Sequence, residues 1–308
     1  VTGSLHDHLD LVRAPAVLSV VGDTLAGAAA AGHALTPRRA LLPLASACLY
    51  AGGMALNDYA DRHLDAVERP ERPIPSGRVT ERRALQVAVG LTAAGVGLAA
   101  AGGGSRALAV AVPLAASVWT YDTVAKERAA GPLVMAACRG LDVLLGAGVG
   151  HLRAALPAAA GMAVHTAGVT YLSRGEVHGT TSSLAAGVAA ATAAGGAVVG
   201  AGAVRRARAA DGASHRTRVA TAVAGVAAAG AYLATCLPRQ VDAAITPSAQ
   251  NAFAATKAGI RAMLPLQAAW SARGGSLASV GVLAGVEVAG RLLRRAGRAP
   301  GRAEMSET

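Results

Sequence analysis

Charge is scarce in this chain. Only 15% of its 308 residues are Asp, Glu, Lys or Arg, against about a quarter in an average soluble domain. That shortage excludes a water-covered globule. Aromatic residues are scarcer still, with one Phe, two Trp and five Tyr, so the aromatic belt that marks the ends of membrane spans is nearly missing. Lysine is almost absent: Lys126 and Lys257 stand against 27 arginines. The three cysteines, Cys48, Cys138 and Cys236, are an odd set far apart in the chain. They offer neither a disulfide framework nor zinc-ligand spacing and read as free thiols in apolar surroundings. No cleavable signal peptide is evident, because the first residues are polar (His6, Asp7, His8, Asp10, Arg13) and the first apolar run starts after Arg13.

What the chain does have is apolar sequence, 53% of it, with a mean hydropathy of +0.41. Runs of about 17–25 apolar residues, long enough to cross a bilayer, recur along its length. They predict an all-α polytopic membrane protein, about nine transmembrane helices around a central cavity, forming a single domain over residues 1–308. The expected spans are 14–34, 40–57, 83–102, 106–122, 131–150, 154–172, 184–204 and 217–237. Residues 250–293 read either as one span behind an amphipathic segment or as two spans broken at Arg273-Gly274-Gly275. Ala and Gly dominate these runs, and small residues let membrane helices approach closely. The net charge of +11 sits on arginines in short loops, which suits lipid headgroups and snorkelling and argues against nucleic acid. The arginine bias suggests a GC-rich bacterial genome, and hence a bacterial cytoplasmic membrane.

Threading these spans places the loops 57–82, 121–130 and 173–183 on one side of the membrane, although they are far apart in sequence. They carry most of the chain's polar motifs. The arginines of the first of these loops put that side in the cytoplasm. The 205–218 loop, rich in arginine as well, falls on the opposite side.

The densest polar block begins Asn57-Asp58-Tyr59-Ala60-Asp61-Arg62-His63-Leu64-Asp65. On a helix, residues three, four and seven apart share a face. Asn57, Asp61 and Asp65 follow that spacing, and Asp58 joins them. An all-oxygen set of this kind suits magnesium, which bridges carboxylates to substrate phosphates. Arg69, Arg72 and Arg78 follow, stiffened by Pro70, Pro73 and Pro75. Guanidinium forks match phosphate oxygens, and a restricted backbone loses less entropy in presenting them. The competing reading is a solvated loop whose acids and arginines pair with one another.

The pattern Asn57-Asp58-x-x-Asp61-x-x-x-Asp65-x-x-x-Arg69-Pro70-x-Arg72-Pro73-x-x-Ser76-Gly77 resembles the first aspartate-rich motif of the UbiA superfamily of intramembrane prenyltransferases. Tyr121-Asp122-x-x-x-Lys126, Gly131-Pro132-Leu133 and Cys138-Arg139-Gly140-Leu141 more weakly resemble its EboC-like bacterial branch. The resemblance implies magnesium-dependent transfer of an isoprenyl group from an allylic isoprenyl diphosphate to an acceptor, a small molecule or lipid. A hydroxylated, cyclitol- or sugar-like acceptor is preferred. It places Asn57, Asp58, Asp61, Asp65 and Glu176 at the metal. Arg69, Arg72, Tyr121 and Lys126 fall at the diphosphate, with Arg139 in support. Lys126 stands one residue further from Tyr121 than in the family's Tyr-x-x-x-Lys segment. The second acidic motif also departs from the family's Asp-x-x-Gly-Asp. Here it reads Leu172-Ser173-Arg174-Gly175-Glu176, leaving one carboxylate with Arg174 and His178 beside it. That departure keeps a rival open: a non-catalytic transport or lipid-binding protein that retains the fold.

Overall fold

A computed structural model describes residues 4–297 apart from Leu18 and Asp211. Helices account for the architecture, and no strand occurs among the described residues. An amphipathic α1 (Leu5–Leu11) and a short α2 (Ala14–Val17) lead into α3 (Val21–Ala30). Then come α4 (Leu41–Glu68), α5 (Glu81–Thr120), a π-helical turn (Tyr121–Ala125), α6 (Gly131–Ala147) and α7 (Leu152–Ser173). The chain continues with α8 (Ser182–Arg208), α9 (His215–Ile245), α10 (Ala249–Arg261), α11 (Met263–Arg273) and α12 (Leu277–Gly297).

The long run labelled α5 is a hairpin. Gly104 at φ 66° reverses the chain, a left-handed backbone that glycine adopts without a side-chain clash. Trp119 on the returning arm donates to Thr92 Oγ1 on the outgoing arm at 3.1 Å. The two expected spans 83–102 and 106–122 are therefore separate crossings joined by a very tight turn. The ambiguous region 250–293 folds as two helical segments. The first is broken at Ala262 between α10 and α11, where Pro265 removes an N–H from the first turn of α11. The second is α12, which follows the turn at Gly274-Gly275. The arginines from position 298 onward lie outside the described residues.

Small residues set the helix contacts. A Cβ at Gly27 would collide with the Val143 carbonyl, and one at Gly146 with the Thr24 carbonyl. The backbones of α3 and α6 thus touch through glycine on both sides. Two interior clusters form around these crossings. One packs Met162, Tyr232, Cys236, Leu266 and Trp270 from α7, α9 and α11. The other packs Leu42, Leu49, Leu114 and Leu145 from α4, α5 and α6. Outward positions are apolar as well: Val198, Val223, Val226 and Val282 are about half exposed, as lipid-facing residues should be. The stretches Glu81–Ala125, Ser182–Arg208 and His215–Ile245 are long and apolar enough to cross a membrane. The protein is an integral membrane protein.

Contacts between loops define the two ends of the bundle. At one end Arg38 bonds the Ala101 carbonyl (3.1 Å) and His33 the Ala147 carbonyl (3.0 Å), and Arg206 approaches Gly275. The 205–218 loop belongs to this end. The other end gathers the polar motifs.

Candidate active site

α4 extends beyond its apolar part for three more turns, and those turns present the acidic row. Asn57 Nδ2 donates to Asp61 Oδ2 at 2.9 Å, the contact expected of residues four apart on a helix. Asp58 and Asp65 are almost fully buried. One nitrogen of Arg72 lies between them, 2.7 Å from Asp65 Oδ2 and 3.3 Å from Asp58 Oδ1. A guanidinium of Arg13 reaches the same Asp58 oxygen at 3.3 Å. Lys126, from beyond the π turn, forms an ion pair with Asp61.

The loop 69–80 is folded so that Arg72 points back to the row. Arg69 N bonds the Asp65 carbonyl (2.8 Å), and Ser76 Oγ caps the Arg72 carbonyl (2.6 Å). Arg78 turns the other way and clamps α1, with Asp7 at 2.9 Å and Asp10 at 3.0 Å. The Ser4 cap and Arg78 hold the Asp7 carboxyl down to about 2. α1 is thereby strapped beside the acidic row, and Arg13 follows it with φ 47°. That left-handed backbone is strained for a residue with a side chain.

The third loop comes to the same end. Arg174 donates to the Lys126 carbonyl at 3.2 Å and also to that of Arg128. Glu176 is half-buried. Burial pushes its carboxyl up, opposed by the Thr256 hydroxyl on α10 and by the charge of Arg69. Thr180 N bonds the Pro247 carbonyl (3.1 Å), tying this loop to the end of α9. The loops 57–82, 121–130 and 173–183 therefore meet, as threading requires.

The predicted residues do not all converge. Asn57, Asp58, Asp61, Asp65, Arg72 and Lys126 form one bonded network. Glu176 lies beside it, within the field of Arg69, and the Thr256 hydroxyl donates to the Ala252 carbonyl at 3.0 Å. Tyr121 begins the π turn. Arg139, which the resemblance places in support of the diphosphate, is paired elsewhere. It pairs with the fully buried Asp23 at 2.7 Å, about 12 Å along α6 from the polar end at a rise of 1.5 Å per residue. Its neighbours there are Ser46, bonded to Asp142 at 2.5 Å, and Gln267, which donates to Asp23 Oδ1 at 2.8 Å. Arg139 thus ties helices together inside the bundle, away from the row. His165 is a packed histidine, its ring nitrogens 3.1 Å from the Tyr232 hydroxyl and 3.0 Å from the Gly259 carbonyl.

Sequence reasoning gave no role to Arg13, Asp23, Asp142 or Asp122, although Asp122 stands in the Tyr121-Asp122-x-x-x-Lys126 motif. For the three aspartates the available signal was a lone acid in or beside an apolar run. Arg13 had only its place before the first span.

The donors suit a hard divalent cation in type, being oxygen only, and a cationic nitrogen already sits between two of them. No cluster of three or more acidic, histidine or cysteine side chains that could hold a metal occurs among the described residues. A dication at this row would have to displace Arg72 and Lys126 from the carboxylates.

The model of the UbiA prenyltransferase family matches residues 20–238. The digeranylgeranylglyceryl phosphate synthase of Methanopyrus kandleri is 50% identical over 80 residues, 26% of this chain and 28% of that protein. The enzyme of the same name from Ignicoccus hospitalis is 44% identical over 94 residues, 30% and 31% of the two chains. The chain thus matches less than a third of the length of these relatives. Both are archaeal and lend no support to a bacterial origin. A UbiA homologue from Archaeoglobus fulgidus bound to DMAPP and Mg2+ superposes with a TM-score of 0.56 at 16% identity, over 90% of this chain and 99% of the other. A structure of digeranylgeranylglyceryl phosphate synthase in membranes gives 0.58 at 15% identity, over 88% and 98%. At such identities the likeness is one of fold.

Proposed function

The chain belongs to the UbiA prenyltransferase family, and on that premise we propose that it transfers an isoprenyl group from an allylic isoprenyl diphosphate to a hydroxyl-bearing acceptor. The observation that carries this reading is the alternation of charge at the polar end. Asp58, Asp61 and Asp65 are interleaved with Arg13, Arg72 and Lys126. A metal-bridged diphosphate repeats that alternation. Its metal would be held by the carboxylates and its oxygens by the guanidinium and ammonium groups. Entry of the donor then exchanges ion-pair partners and leaves no buried charge alone, which would otherwise be expensive.

Asn57, Asp58, Asp61, Asp65 and Glu176 would hold magnesium, which the Archaeoglobus homologue carries with DMAPP. Bound there, magnesium would neutralise the diphosphate and make it a better leaving group. Arg69, Arg72 and Lys126, with the Tyr121 hydroxyl, would orient the diphosphate. They would also stabilise the negative charge that grows on its oxygens as the allylic carbon–oxygen bond breaks. Below the row the apolar helices accept the isoprenyl tail, in contact with membrane lipid. We read the whole chain as one such domain, since α11 and α12 beyond the matched region pack on α9 and α3. The arginines of the 57–83 loop favour a cytoplasmic mouth. The relatives are named for a glyceryl phosphate product, which supports a hydroxylated acceptor, the class that also includes cyclitols and sugars.

The rival reading, a transport or lipid-binding protein, draws on Glu176 being the lone acid of its loop. Reconstituted protein with geranylgeranyl or farnesyl diphosphate, with and without magnesium, separates the two. Transferase chemistry predicts magnesium-dependent diphosphate release into a prenylated product, lowered at least about a hundredfold by Asp61→Asn. No release from any allylic diphosphate, or equal release by the variant, would overturn it.

A further inference from the structure

The acids at the polar end fall into two groups. Asp58, Asp61 and Asp65 each hold an arginine or lysine, and Glu176 lies only half-buried. Asp122 differs. It is 5% exposed, and among the described residues it has neither a hydrogen-bond nor an ion-pair partner. A carboxylate buried without a partner is costly to keep, and one set in a polar cleft is a candidate for a working group.

Its position is set by the π turn. Lys126 N bonds the Tyr121 carbonyl at 3.0 Å, closing a turn one residue longer than an α turn. Inserted residues are absorbed in this way, often beside functional sites. Asp122 and Lys126, four residues apart, both face α4. Asp122 Oδ2 lies opposite Gly53, where an added Cβ would stand 3.4 Å from that oxygen and 2.8 Å from Val118 Cγ1. Gly53 precedes Asn57 by four residues, about 6 Å along the helix axis. Asp122 therefore sits one turn deeper than the acidic row, toward the bilayer. A diphosphate held at the row would direct its first allylic carbon to that level.

We propose that Asp122 is the general base that accepts the proton from the acceptor's hydroxyl. The inference rests on the transferase reading above. In the step, the allylic carbon–oxygen bond breaks and its electron pair leaves with the diphosphate. A lone pair of the acceptor oxygen forms the new carbon–oxygen bond. The hydroxyl proton passes to an Asp122 oxygen, so that ether, diphosphate and protonated Asp122 balance the donor, alcohol and carboxylate. The charged and titratable groups around Asp122 are Asp58, Asp61 and Tyr50 on α4, Arg13 before α2, and Cys138 on α6. Tyr121 and Lys126 flank it on its own segment. Among the described residues, none of these groups occupies the Asp122 oxygens.

The test uses the protein in bilayers with magnesium, geranylgeranyl diphosphate and a glyceryl phosphate monoether as acceptor. Two readouts are taken. Transfer reports the whole reaction. Positional exchange of a labelled bridging oxygen in the donor reports carbon–oxygen cleavage alone. For Asp122→Asn, transfer kcat falls about 10²–10⁴-fold while donor KM and positional exchange stay within about threefold of wild type. Asp122→Glu recovers part of the transfer. Transfer by Asp122→Asn within about threefold of wild type overturns the proposal. So does a parallel fall of exchange and transfer, which assigns Asp122 a structural role. Absence of both signals in the wild-type protein would instead defeat the transferase reading itself.

Discussion

Removing the charge of Arg139 should unfold the bundle more readily without disturbing the donor. Its side chain is 8% exposed and pairs at 2.7 Å with Asp23, which is fully buried. Truncating one partner of such a pair leaves the other charge alone in a low-dielectric interior, a loss of about 3–5 kcal/mol. Arg139→Met keeps most of the volume, so nearly all of that loss is electrostatic. Asp23→Asn keeps the acceptor for Gln267 Nε2, now at 2.8 Å, and removes only the charge. Combined with Arg139→Met it should therefore restore part of the stability, with a coupling of about 2–3 kcal/mol between the sites. Unfolding by SDS in mixed micelles measures all four corners of this cycle. Activity scaled to folded protein should show donor KM for Arg139→Met within about threefold of wild type. A double variant no more stable than Arg139→Met would refute the ion-pair argument. A donor KM raised more than about tenfold at unchanged stability would return Arg139 to the diphosphate.

Two further outcomes test the packing and the strap. Gly146→Ala drives a methyl into the Thr24 carbonyl of α3; neither backbone can yield cheaply, so a loss of at least about 1–3 kcal/mol is expected in the same unfolding assay, and a neutral result would refute the close crossing of α3 and α6. The α1 strap should respond to acid. Asp7 titrates below its ordinary value of 3.8, at about 2, so its contribution is fully present above 3.8 and is lost as pH falls through that interval. Hydrogen exchange of α1 should accelerate across that window and slow again on return, and Arg78→Ala should weaken the dependence while leaving the part due to the Ser4 cap.

How much of this was legible in the sequence follows from the range of each interaction. The acidic row was legible because helix periodicity is local: Asn57, Asp61 and Asp65 share a face whatever surrounds them. The meeting of the three polar loops was legible too, since alternation of spans across a membrane leaves few ways to thread a chain. Arg139 was not. An arginine eight residues into α6 looks the same whether its partner is a phosphate or Asp23, and Asp23 lies on a helix more than a hundred residues earlier. Asp122 was visible as a residue but not as a different kind of acid, because its lack of a partner is a fact about its neighbours.

The amino-acid sequence by itself determined the apolar helices, their alternation across the bilayer and the row of oxygens on α4. Each of those depends on composition, or on spacings of a few residues. The tertiary structure alone decided which cation each carboxylate holds, that Arg139 spends its charge inside the bundle, and that Gly53 leaves room for Asp122. Ion pairing and close packing act over a few ångströms between segments far apart in the chain, so only the assembled helices specify them.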